Sequence, residues 1–199
     1  MLLTFTSLVN NWYFTKMIKP GENTFLIADP FLKDQHFVRS VIYLCSHTAE
    51  GSIGFSLNKK FGRSLNQLIS GLEDFEIPVY VGGPVETNTL HFLHQFPDLI
   101  PNSNVLSKEI CWGGDFDVVK KLITKNKLDL QKIKFFIGYS GWADGQLDDE
   151  LNEKSWLICE ANKEIIFELP PNDIWKESVK LLGPTFNEIL NYPIDPQLN

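Results

Sequence analysis

Apolar and polar residues run along this chain in two rhythms, a strand period and a helix period, separated by turn residues. Thr24–Ala28 (TFLIA) is an apolar run halted by Asp29-Pro30. Residues 37–46 are β-branched and aromatic and predict a buried strand, inside which Arg39 has to reach a carboxylate or the solvent edge. Residues 51–58 predict a second strand, and 47–50 are short enough for a hairpin. The period then changes. Leu65, Leu68, Ile69 and Leu72 fall at i, i+3, i+4 and i+7 behind Ser64 and Gln67 at capping-box spacing, which predicts a helix over 64–72.

Strands return at 78–81 and, as its neighbour, at 89–94, with a loop over 97–104. Asp115 predicts the cap of a helix whose apolar face is Phe116, Val119, Leu122 and Ile123. Residues 133–139 read as a strand and 144–152 as a short helix. Residues 156–159 and 165–169 read as a hairpin turning at Ala161-Asn162-Lys163. A last helix follows Pro170-Pro171, capped by Asn172 and ended by Gly183-Pro184. Strands outnumber helices and several adjoin through short turns. The expected fold is α+β: one domain over 16–199, with a mixed, mainly antiparallel sheet or partly closed barrel and helices inserted between hairpins. Residues 1–15 carry no charge and no signal-peptide pattern, and are read as an extension or mis-assigned start, with an added edge strand as the alternative.

Composition narrows the classes. The chain has 199 residues, 43% hydrophobic and 13% aromatic, which excludes intrinsic disorder. No apolar run approaches membrane-spanning length. Cys45, Cys111 and Cys159 are too few and too scattered for a disulfide framework or zinc set, and fit a cytoplasmic protein. The net charge of −7 opposes a generic nucleic-acid coat. It is unevenly spread: residues 1–139 hold 14 basic and 13 acidic side chains, residues 140–199 hold 4 and 12. Lys120, Lys121, Lys125, Lys127, Lys132 and Lys134 crowd together, either as a solvated helix face or as a basic patch for an acidic partner or nucleic acid.

Gly138-Tyr139-Ser140-Gly141-Trp142 sits between a predicted strand and helix, the setting of a hydrolase nucleophile elbow. Trp142 stands where the elbow needs glycine, and every histidine precedes Ser140. His91 and His94 point to opposite sides of a strand and so do not make a metal pair. Gly113-Gly114 before a helix could offer N–H groups to an anion, but matches no phosphate-loop pattern. The acidic group Asp144, Asp148, Asp149 and Glu150 suits a solvated first helical turn.

These strings together carry a resemblance. The series runs through Phe25-Leu26-Ile27-Ala28 with Pro30, Phe37-x-Arg39-Ser40-Val41-Ile42, and His47 with Gly51, Gly54, Phe55, Leu57 and Asn58. It continues through Val81-Gly82-Gly83-Pro84-Val85, Leu93-His94, Gly114-Asp115, and Gly138-Tyr139-Ser140-Gly141-Trp142-x-x-Gly145-Gln146-Leu147 with Glu150 and Trp156. The chain resembles the AlgH/YqgE family of bacterial proteins over roughly residues 18–185. The resemblance implies a single cytoplasmic α+β domain with no established enzymatic activity and no agreed catalytic set, and a serine slot that relatives often fill with alanine; no cofactor and no metal are expected. Members are described as transcriptional regulators by association with alginate regulation. The favoured expectation is a non-enzymatic protein acting on a protein partner or small ligand. A second is DNA-linked regulation through Lys120, Lys121, Lys125 and Lys127. A third is a small-molecule or hydrolytic site drawing on Arg39, His47, Asn58, Gly82, Gly83, His94, Gly138, Ser140, Trp142 and Gln146.

Overall fold

In the computed structural model, which describes residues 18–193, nine strands form one open sheet with helices on both faces. The strands are β1 Thr24–Ala28, β2 Val41–Thr48, β3 Gly51–Ser56, β4 Val79–Val81, β5 Val85–His94, β6 Asn104–Val105, β7 Cys111–Trp112, β8 Ile133–Trp142 and β9 Trp156–Glu160. They run in the order β6-β7-β5-β8-β3-β2-β1-β9, with β4 alongside β8. The β4–β8 pair is parallel; the others are antiparallel. The fold is α+β, and the sheet does not close into a barrel. The segment 1–15 lies outside the described residues.

The ten residues of β8 join two half-sheets. Its first half pairs with β5 on one side and β4 on the other, and its second half pairs with β3. Strand β1 lies between β2 and β9 and is buried on both faces, which is why it reads as an unbroken apolar run. Phe25 and Ile27 meet the core beneath α4 (Pro171–Leu181). Leu26 and Ala28 meet Trp142, Trp156 and Leu147, the last from α2 (Gln146–Asn152). A third core, under α1 (Phe116–Thr124), gathers Val119, Ile123, Phe92 and Phe135. Asp115 caps α1 as predicted, accepting from the Val118 N–H at 3.1 Å. No helix among the described residues is long and apolar enough to cross a membrane.

Several elements differ from the pattern reading. The helix expected over 64–72 is a single 3-10 turn, Leu65–Gln67. Gly71, at φ +81°, ends the stretch, yet Leu65 and Leu72 are still fully buried. β4 and β5 are not neighbours, because β8 lies between them. The hairpin expected around Ala161-Asn162-Lys163 is replaced by β9 and a short helix, α3 (Lys163–Phe167). The Asn162 side chain accepts from the Ile165 N–H at 3.2 Å and so starts a helix in place of a turn. Pro170, not Asn172, occupies the cap position of α4.

Candidate functional site

The two glycine strings fold against each other. The Gly82 N–H donates to the Ile137 carbonyl at 2.9 Å, while the Gly82 carbonyl accepts from the Ser56 N–H at 2.8 Å. The same carbonyl accepts from the Ser140 hydroxyl at 2.9 Å. A Cβ on Gly82 would lie closer than 3.0 Å to the Gly138 carbonyl oxygen, and one on Gly83 equally close to the Tyr139–Ser140 backbone. Only hydrogen fits between the chains here. Gly138, at φ +66°, is the bend where β8 passes from one half-sheet to the other. Ser140 is fully buried and its hydroxyl proton is already donated, so it is not presented as a nucleophile. The string that suggested an elbow is a backbone crossing.

Trp142 and Gln146 belong to a second fixed arrangement. One Glu150 carboxylate oxygen accepts from the indole N–H of Trp142 at 2.8 Å and from that of Trp156 at 2.7 Å. The other accepts from the Gln146 amide at 2.9 Å, and Gln146 in turn accepts from the Ala143 N–H at 3.0 Å. The two indoles meet edge to face at 6.0 Å. Both rings are buried, so their N–H groups require a partner, and α2 carries one carboxylate to both.

Where the β2–β3 turn meets the end of β8, the surface opens into two adjoining cavities. One, of about 550 Å³, is lined by Thr48, Glu50, Ser52, Val85, Tyr139 and Trp142. The other, of about 260 Å³, is lined by His47, Thr48, Ser52, Asp144 and Asp148. They share Thr48, Gly51 and Ser52. Three carboxylates border this rim, and neither lining contains Lys or Arg. His47 Nδ1 and Ser52 Oγ lie 2.8 Å apart because the two residues are directly opposed in the β2–β3 register. Among the described residues no carboxylate accepts from the other ring nitrogen of His47, so the pair lacks the orienting group of a triad.

The remaining predicted residues lie elsewhere. Arg39, expected within a strand, precedes β2 at φ +50° and is partly exposed, so it meets the solvent edge and, among the described residues, pairs with no carboxylate. Its guanidinium stacks 4.1 Å over the Trp175 ring and donates to the Tyr192 carbonyl. The Asn58 side chain accepts from the Val41 N–H at 3.1 Å and donates to the Arg39 carbonyl at 2.8 Å, stitching the turn before β2. His94 is fully buried, and Nδ1 accepts from the Phe96 N–H at 3.1 Å, which leaves Nε2 to donate to the Gly113 carbonyl at 3.0 Å. Burial lowers the pKa of His94 and also that of His91. His91 sits on the opposite face of β5, between Phe55, Trp112 and Tyr139. Among the described residues no group of three or more His, Cys, Asp or Glu is placed to hold a metal ion. Lys121, Lys125 and Lys127 are exposed at the end of α1, Lys120 is half-buried, and Lys134 is buried within β8. Of the third expectation, the structure brings His47, Trp142 and the end of the Gly138 string to one rim. Gly82, Gly83 and Ser140 lie buried at the crossing, and Arg39, Asn58 and His94 lie apart. Thr48 and Ser52 line the rim without having been singled out, since no local pattern marks them, while Tyr139 and Asp148 come from the Gly138 string and the acidic group without having been placed at one site.

Comparison with known proteins follows the same span. The AlgH-like family model matches residues 25–187. A UPF0301 protein of Parabacteroides distasonis is 40% identical over 184 residues, covering 92% of this chain and 93% of its own length. One from Cytophaga hutchinsonii is 39% identical over 175 residues, covering 87% and 96%. The solution structure of the AlgH protein from Pseudomonas aeruginosa superposes with a TM-score of 0.70 at 28% identity, covering 90% of this chain and 98% of that one. A crystal structure of a Corynebacterium diphtheriae protein gives a TM-score of 0.78 at 19% identity, covering 95% and 100%, a likeness of fold alone.

Proposed function

This chain belongs to the AlgH-like family of bacterial proteins, and from that premise we propose that it is a non-catalytic cytoplasmic protein that acts by binding a cationic partner at the rim between the β2–β3 turn and the end of β8. One observation carries this reading. Two cavities that share Thr48, Gly51 and Ser52 are bordered by Glu50, Asp144 and Asp148, with no Lys or Arg in either lining and His47 as the one imidazole. The family strings build the walls of this rim, and their own polar groups are spent on the fold. The partner that complements it is an amine-bearing small molecule or a basic peptide segment. The free, buried state of Cys45, Cys111 and Cys159 supports a reducing compartment. A regulatory role would run through protein contact at this rim.

The test uses the whole chain, isotopically labelled, with spermidine and an acetyl-Lys-Lys-amide peptide as probes. Expected are backbone amide shifts at Thr48, Gly51, Ser52 and Tyr139 that saturate, weaken with salt, and vanish in a Glu50→Gln/Asp144→Asn/Asp148→Asn variant. Shifts scattered over acidic residues away from the rim, such as Asp149, Glu153, Glu164 and Glu168, or none at the rim, would overturn the reading.

A further inference from the structure

Lys134 is the second residue of β8, on the face that carries Phe136, and is only 7% exposed. Its ammonium group would need three acceptors or a counter-ion, and the structure supplies neither. Nζ donates once, to the Ile166 carbonyl at 3.0 Å, and lies 4.2 Å above the Tyr80 ring. Among the described residues no carboxylate pairs with it. Burial alone pushes the pKa of this amine down to about 7.

The residue also borders a cavity of about 310 Å³ between β4, the start of β8 and the end of α3. The walls are mainly apolar: Ile77, Pro78, Tyr80, Leu130, Phe167 and Leu169. Gln131 and Glu76, both exposed, stand at the mouth, and no second cation accompanies Lys134 there. We propose that Lys134 is a nucleophilic amine at the wall of a binding cavity, which takes an uncharged, largely apolar aldehyde or ketone and holds it as an imine. This site is separate from the acidic rim, which lies at the opposite end of β8.

The chemistry balances without a co-reactant. The neutral amine's lone pair attacks the carbonyl carbon, and the carbonyl π pair moves to oxygen. Proton transfer from nitrogen to that oxygen gives the carbinolamine. Loss of hydroxide, which takes up the second amine proton, forms the C=N bond and releases one water. A phosphorylated aldehyde is a poor fit, because Glu76 is the charged group at the mouth and nothing there would neutralise a phosphate. Size sets the other limit: a single aromatic ring with its carbonyl suits this volume.

The experiment exposes the full chain to limiting benzaldehyde with cyanoborohydride at pH 7 and maps the labelled lysines by peptide mass. A lysine at pKa ~7 carries on the order of 10³-fold more free amine at that pH than one at the ordinary value of ~10.4. Lys134 is therefore expected to label at least about tenfold faster than Lys121, Lys125 or Lys127, even after its lower basicity and restricted access slow it. Lys134→Met should lose that one fast label and keep the slow ones. A phosphate-bearing aldehyde, pyridoxal 5′-phosphate, should show no such preference. Labelling that follows exposure, with Lys134 untouched in the wild-type chain, overturns the proposal, and this result needs no variant to fold. Preferential capture of the phosphorylated aldehyde overturns the assigned ligand class. Neither result depends on binding at the acidic rim.

Discussion

Single side chains in this protein hold structure where their types suggested chemistry, and substitutions distinguish the two. Glu150 satisfies two buried indole N–H groups at once, so Glu150→Ala should destabilise the fold by about 2–4 kcal/mol, with the loss visible in urea titration and in Trp fluorescence. Glu150→Gln keeps one acceptor and should fall well short of that. Ser140→Ala should lower stability by only about 1 kcal/mol, because the Gly82 carbonyl keeps its bond from the Ser56 N–H. A larger loss would mean that the hydroxyl does more than bridge the crossing. Lys134 adds a pH dependence with a definite sign. Its folded pKa of about 7 lies below the unfolded value of ~10.4. Between those values the unfolded chain binds a proton that the folded chain does not, so the contribution to stability rises with pH over that window and is level below it. Urea titrations from pH 6 to 9.5 should therefore show the difference between wild type and Lys134→Met growing in favour of wild type. A flat difference would mean that the amine titrates normally.

The lysine-rich helix illustrates how much one element discloses before its surroundings are known. Val119 and Ile123 are buried, and Lys121, Lys125 and Lys127 face solvent with Asp117 and Asp129 among them. Asp115 holds the helix start with its own carboxylate, which accepts from the Val118 N–H and sets a negative charge where an anion would bind. Among the described residues no second helix packs extensively against α1 as a recognition pair requires. The full-length protein is expected to leave a duplex of about 30 base pairs unshifted in a mobility assay even at about 50 mM salt. A shift that Lys121→Gln/Lys125→Gln abolishes would restore the DNA reading. Helix α1 was legible because its spacing repeats over two turns, and strand β1 because its unbroken apolar run is stopped by a turn signal. Helix α3 was not, because Ile165-Ile166-Phe167 is apolar in any register, and a five-residue helix shows too little period to separate it from a strand. The two-residue strands β6 and β7 exist only through pairing, β7 with β5 and β6 with β7, and leave no pattern to read. The rim was partly legible in the same sense. Its walls come from recognisable strings, but the convergence of Thr48, Ser52, Tyr139 and Asp148 depends on β3 lying beside β8.

The whole molecule hangs on β8, and this shapes how it unfolds. Phe92, Phe135 and Val119 stabilise one half-sheet, and Leu26, Ile42 and Trp156 the other. A further core, from Tyr80, Phe136 and Leu93 through to Phe25 and Trp175, spans both halves. A protein with two half-sheets and no shared core could unfold in two steps; this one has a common strand and a common core. A single transition is expected, with Trp fluorescence, far-ultraviolet circular dichroism and hydrogen exchange giving one stability. Gly138 is the position at which to test it. A methyl group there would sit at φ +66° and closer than 3.0 Å to the carbonyl oxygens of Val85 and Gly83, straining the strand at its bend. Gly138→Ala should lower stability by about 2–4 kcal/mol, and the protection of the slowest amides in β1, β2 and β5 should fall by the same amount. If protection fell in β5 while β1 and β2 kept theirs, the halves would be independent folding units, and β8 only a tether between them.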